Sequence, residues 1–134
     1  MSSSFHTVTI AGGTGKLGYY IVEAFLNDGS YKVKVLRRKS ESENEKAKLL
    51  ASKGAEIVYV NYNRHDELVK ALRGTDVLIS VISGKDIYPI QSRLLTAAKE
   101  AHVKRFIPSD FGNEYRCVFI ILLNVMVKSL KFIL

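Results

Sequence analysis

At 134 residues, with 47% hydrophobic and 25% charged side chains, the chain is sized for one domain with a real apolar core, which excludes a disordered polymer. One cysteine, Cys117, excludes an intrachain disulfide and a cysteine-built zinc centre, and is compatible with a reducing compartment. The net charge of +7 suggests nucleic acid, but its distribution does not: Lys32, Lys34, Arg37, Arg38, Lys39, Lys46, Lys48 and Lys53 crowd one stretch against only Glu41, Glu43 and Glu45, which suits a local small-anion site.

Residues Met1 to His6 lack an apolar h-region, so no secretory signal is expected and the reading is cytoplasmic. His6 to Ala11 predicts a first strand. Gly12-Gly13-Thr14-Gly15-Lys16-Leu17-Gly18 then forms a glycine turn into a helix over Lys16 to Asn27, with Leu17, Ile21 and Phe25 on one face and Asp28-Gly29-Ser30 as the stop. Gly13-x-Gly15-x-x-Gly18 fits the dinucleotide fingerprint, and Gly12-x-x-Gly15-x-x-Gly18 fits a related one. Such glycines let backbone N–H groups approach a pyrophosphate, and the helix N-terminus favours the same anion. A glycine spacing alone is weak; strand, turn and helix in the required order make it strong.

Lys32 to Leu36 predicts the second strand, Glu41 to Ser52 the second helix and Glu56 to Val60 the third strand. A short helix follows over Asp66 to Leu72, then an almost unbroken apolar strand over Asp76 to Ile82, as a buried parallel strand requires. Pro89 to Ala101 is the fourth helix and Lys104 to Ile107 the fifth strand. The alternation predicts an α/β fold: a Rossmann-type doubly wound parallel sheet of order 3-2-1-4-5, with ligand at the carboxyl ends over the switch point between strands one and four. Cys117 to Leu134 breaks the pattern. It is apolar on every helical face, and Lys128 and Lys131 interrupt it as a membrane span. The expectation is a dinucleotide domain over 5–115 and a tail over 116–134 whose packing partners are missing, a truncated or aberrant end; a buried element and a tail anchor are the alternatives.

An NAD site places a carboxylate about 20 positions past the glycines, on the ribose. Here that region is Leu36-Arg37-Arg38-Lys39, which suits a 2′-phosphate and hence NADP(H). Arg37, directly after the predicted strand, is the first candidate, with Arg38 and Lys39 as alternates.

The glycine turn, Val35-Leu36-Arg37, Asp76-Val77-Leu78-Ile79-Ser80, Lys99-Glu100-Ala101 and, most specifically, Val103-Lys104-Arg105-Phe106-Ile107-Pro108-Ser109-Asp110-Phe111-Gly112 resemble the NmrA-like family. Within it they are most similar to the isoflavone-reductase-like branch of atypical short-chain dehydrogenase/reductase relatives, over about residues 5 to 115. The resemblance implies an NADP(H)-binding domain of an oxidoreductase that acts on small, aromatic or carbonyl-conjugated substrates. By that implication Gly12, Gly13 and Gly18 belong to the cofactor-binding turn, and Thr14, Gly15, Lys16 and Leu17 lie along the pyrophosphate. Arg37, with Arg38 nearby and Lys46 assisting, meets the 2′-phosphate. Ser83 and Gly84 pass near the nicotinamide side, and Pro108 and Ser109 border the substrate cleft.

Two departures matter. Asn61 stands where the family often has an acid near the adenine. The family's catalytic lysine, on a helix beyond the Pro-Ser-Asp-Phe-Gly string, has no secure counterpart, since the surroundings of Lys128 and Lys131 do not match, and the substrate domain is missing. No Tyr-x-x-x-Lys occurs. His6, His65 and His102 have no metal-ligand spacing and read as surface or capping residues, and Cys117 has no adjacent base. No catalytic residue is assigned and no metal, nucleic acid or membrane is expected. Little turnover follows, with a dinucleotide-sensing module that binds a protein partner as the alternative.

Overall fold

The computed structural model describes residues 5–39, 45–82 and 87–107. Strands β1 (Thr7–Ala11), β2 (Lys32–Arg38), β3 (Glu56–Val60), β4 (Val77–Ser80) and β5 (Arg105–Ile107) alternate with helices α1 (Lys16–Asp28), α2 (Glu45–Ser52), α3 (His65–Leu72) and α4 (Ile87–Glu100). All pairings are parallel and the order is β3-β2-β1-β4-β5, the predicted topology. The predicted residues 41–44 of the second helix, and 108–134 with Cys117 and the apolar tail, lie outside the described residues.

Strand alternation sorts the core into two layers. Val8, Ile10, Val33, Val35, Val77 and Ile79 point to one face, where α1 supplies Ile21, Val22 and Phe25 and α2 supplies Leu50. Ala11, Leu36, Val60 and Leu78 point to the other, against Leu68, Val69 and Leu72 of α3 and Ile90, Leu94, Ala97 and Ala98 of α4. The central β4 is buried at all four positions, which explains its unbroken apolar run. Two polar groups in this interior answer each other: Thr9 Oγ1 and Thr75 Oγ1 share a hydrogen bond of 2.7 Å. Gly29 closes α1 by donating to Phe25 O.

The amino edge of the sheet is knotted at Asp76. Its Oδ2 accepts from the amides of His6 (2.6 Å) and Thr7 (2.9 Å), and Lys104 Nζ lies 3.3 Å from Oδ1. Its own backbone bonds Thr7, Lys104 and Arg105, so one residue joins β1, β4 and β5. Burial disfavours the carboxylate, but the two amides and Lys104 outweigh it and hold the pKa below the ordinary value. A lowered folded pKa contributes stability above the unfolded pKa of about 3.9, and that stability is lost as pH falls through the folded value. Asp76→Ala is expected to destabilise the fold by about 2 kcal/mol at pH 7 and to flatten the acid limb of its stability below about pH 4. Urea midpoints between pH 3 and 7 check both; parallel curves for the two proteins would refute the assignment.

The basic stretch is partly structural. Lys34 turns to the α3/α4 face and its half-buried Nζ donates to Ala71 O (2.6 Å), in the last turn of α3, where a cation is favoured. Lys53 pairs with Glu23 and Lys39 with Glu67, each at 2.7 Å. Packing therefore assigns Lys34 and Lys53 to helix contacts and not to the expected local anion site. His65 begins α3 and pairs with Glu100, and His102 follows α4 at φ 63°.

Candidate functional site

The carboxyl edge is built around the glycine turn. β1 ends at Ala11, paired with Leu36, so Gly12 and Arg37 emerge side by side. Gly12 has φ +88°, and a Cβ there would lie 2.7 Å from Val81 O, so the turn lies against the chain leaving β4. A Cβ on Gly13 would meet Val35 Cγ1 at 2.8 Å, and one on Gly18 would lie 2.1 Å from Gly12 O. Gly12 thus lets the turn approach the chain leaving β4, Gly13 lets it approach β2, and Gly18 lets α1 sit against its own turn. Gly15 differs: a Cβ would meet only Gly12 O, at 3.4 Å, an ordinary contact. The fold therefore does not demand glycine at 15.

Gly15 is the N-cap of α1 and contributes no side-chain cap, and the first turn has no acidic residue. Its carbonyl accepts the first intrahelical bond, from Tyr19 N (2.9 Å). The amides of the first turn precede that bond and carry the positive helix end, uncompensated by the helix itself. By contrast α2 and α3 begin with Glu45 and with Asp66 and Glu67. An anion fits α1 for the same reason that carboxylates fit the other two. Thr14 is half-buried in the turn, Lys16 is the first helical residue and Leu17 packs on the α1/α2-side core.

Cations stand at the end of β2, beside the turn, on both faces of the sheet. β2 runs two residues further than Leu36, because Arg37 pairs with Tyr59 and Arg38 with Val60 in β3. Arg37 thus lies within the strand, not after it. It is 4% exposed, shares a face with Val35, and its guanidinium carbon is 5.8 Å from the Tyr59 ring centroid. Lys46 of α2 stands on the same side, Nζ 5.8 Å from the Tyr19 ring. Arg38 turns the other way. With Lys39, Asn61, Asn63, Pro89 and Arg93 it lines a cleft of about 630 Å³, floored by Val60, Tyr62 and Ile90, a volume that suits a small-molecule ligand.

The cleft wall is hydrogen-bonded. Asn61 Oδ1 accepts from Asn63 N (2.9 Å), Asn61 O accepts from Arg64 N (2.9 Å), and Asn63 Oδ1 accepts from Arg93 Nη1 (2.7 Å). Lys39 and, less so, the Asn61 amide hold the Glu67 carboxyl below the usual range against burial. Arg93 was missed by sequence reasoning. Its spacing of four from Pro89 puts both on one helix face, but nothing local says that this face meets the end of β3. Ser83, Gly84, Pro108 and Ser109 lie outside the described residues. Among the described residues no group of His, Cys, Asp and Glu is arranged to hold a metal ion, and no helix is long and apolar enough to cross a membrane.

Comparison with known proteins gives a consistent result. The model of the NmrA-like family matches residues 4–125. Eugenol synthase 2 of Clarkia breweri is 39% identical over 111 residues, and pinoresinol reductase 2 of Arabidopsis thaliana 40% identical over 115; the match takes in 80% of this chain and 36% of each relative. Among solved structures, AtPrR2 with NADP+ and (+)pinoresinol superposes with TM-score 0.70 at 31% identity, over 96% of this chain and 47% of that one. The binary complex of leucoanthocyanidin reductase with NADPH from Vitis vinifera also gives 0.70 at 31% identity, over 91% and 45%. The chain thus spans about a third of the length of these curated relatives.

Proposed function

Since the chain belongs to the NmrA-like family, we propose that residues 5–115 form the NADP(H)-binding domain of an isoflavone-reductase-like oxidoreductase. The observation that carries this reading is Gly15, a glycine the fold does not require, at an uncapped helix N-terminus, with Arg37 and Arg38 at the end of the neighbouring strand. Two solved relatives bear NADP+ or NADPH, which supports the same cofactor here. Gly12 to Gly18 would hold the pyrophosphate through backbone amides. Arg37, Arg38 and Lys46 would hold the adenosine 2′-phosphate, and Asn61 would accept or donate at the base. Ser83, Gly84, Pro108 and Ser109 are assigned to the nicotinamide end on the resemblance alone. The bound cofactor would supply a hydride to a small aromatic substrate, while this chain's residues bind and orient it.

No catalytic group is assigned, so residues 1–134 on their own are expected to turn over phenolic substrates with NADPH little or not at all; robust turnover in a standard reductase assay would overturn that expectation. Calorimetric titration with NADPH and NADH tests the binding reading itself. NADPH is expected to bind more tightly, and equal affinities would remove the 2′-phosphate assignment. A dinucleotide-sensing module with a protein partner is the second reading. The lack of an assigned catalytic residue fits it as well as it fits a partial chain, and a partner captured only in the presence of NADPH would support it.

A further inference from the structure

The cleft at the ends of β2 and β3 has a chemistry of its own. Its floor is apolar (Val60, Tyr62, Ile90) and its rim is cationic, with Arg38 on one wall and Arg93 of α4 on another. Among the described residues neither arginine is ion-paired with a carboxylate, whereas Lys39, on the same rim, is offset by Glu67. The bond of Arg93 goes to a neutral amide oxygen, Asn63 Oδ1, so it fixes the side chain without cancelling its charge. A guanidinium has five N–H donors. One is used here as an anchor, and the planar fork is held in place before a ligand arrives, which reduces the entropy lost on binding.

We propose that Arg93 is a nucleotide-specificity residue: with Arg38 it binds the phosphate carried by the adenosine ribose, from the α4 side of the cleft. This rests on the NADP(H) reading above and adds a residue that neither the glycine turn nor the basic stretch contains. An adenosine without that phosphate gains the apolar floor but little from two cations. Arg93 therefore separates NADPH from NADH. Its bond to Asn63, which in turn bonds Asn61, also braces the turn beneath the base, but that bracing serves both cofactors equally.

NADPH and NADH are titrated calorimetrically into the unsubstituted chain, Arg93→Gln and Arg93→Lys, with a melting curve for each. Arg93 is exposed, so both variants are expected to melt as the parent does. Arg93→Gln should weaken NADPH about tenfold and NADH by less than about twofold, with Arg93→Lys between parent and Gln for NADPH, as a charged hydrogen bond of ordinary strength requires. Unchanged NADPH affinity, or equal losses for the two cofactors, overturns the proposal; equal losses would make Arg93 a brace for Asn61 only. If the parent chain binds neither cofactor, the dinucleotide reading fails and this assignment fails with it. If the parent prefers NADPH and only Arg93→Gln is silent, this assignment alone fails.

Discussion

Gly18→Ala is expected to unfold the carboxyl edge and abolish dinucleotide binding. The new methyl would lie 2.1 Å from Gly12 O and 2.8 Å from both Gly12 C and Gly13 Cα. All three are backbone atoms of the turn, so no flexible side chain can swing aside. Either α1 withdraws or the turn is rebuilt. Withdrawal separates Ile21, Val22 and Phe25, each at most 1% exposed, from the sheet. Overpacking of this kind costs about 1–3 kcal/mol or more, and the upper end applies where the obstacle is backbone. A loss of about 3 kcal/mol lowers Tm by roughly 12–24 °C in a domain of about 100 residues. Gly15→Ala is the counterpart. Its Cβ meets nothing closer than 3.4 Å, and φ −74°, ψ 177° is open to any residue. Stability should change by no more than about 1 kcal/mol, the scale of an N-cap substitution, while NADPH affinity is expected to fall because the methyl would intrude where the pyrophosphate is proposed to lie. Melting curves and calorimetry on the two variants separate packing from binding. Parent-like NADPH affinity in Gly15→Ala would show that the turn does not carry the pyrophosphate.

Arg37→Met is expected to remove most of the preference for NADPH. A charged hydrogen bond contributes about 1.5–3 kcal/mol, which is roughly 10- to 150-fold in affinity. NADH, lacking the phosphate, should change little. Methionine is chosen because Arg37 is 4% exposed and packs toward Tyr59; a thioether chain keeps much of that packing where alanine would leave a void. The melting curve shows whether the packing is retained, and the ratio of NADPH to NADH affinity shows whether the guanidinium meets phosphate. A folded variant with an unchanged ratio would return the 2′-phosphate to Arg38 and its neighbours.

What was legible in the residues was whatever local periodicity controls. The almost unbroken apolar run of β4, the i, i+4, i+8 stripe of α1 and the stop at Gly29 led to the observed element order and the observed sheet. Strand ends were less legible, because cross-strand partners decide them. β2 continues through Arg37 and Arg38 only because Tyr59 and Val60 stand opposite. Side-chain destinations were least legible. Lys34 sits in a basic run yet reaches Ala71, 37 positions away, and Arg93 meets Asn63 at a separation of 30. No window of sequence contains either pair. The glycine turn was readable as a nucleotide signal, but which of its glycines serve packing and which leaves room for a ligand depended on the distances from Val35, Val81 and the turn's own carbonyl.

Arg37 and Arg38 are neighbours in sequence and point to opposite faces of one strand. A mutational route from one cofactor to the other would therefore be graded, not abrupt. If both arginines hold the phosphate as proposed, replacing Arg38 removes the weaker grip and leaves that of Arg37, and a full exchange needs changes on both sides of the sheet.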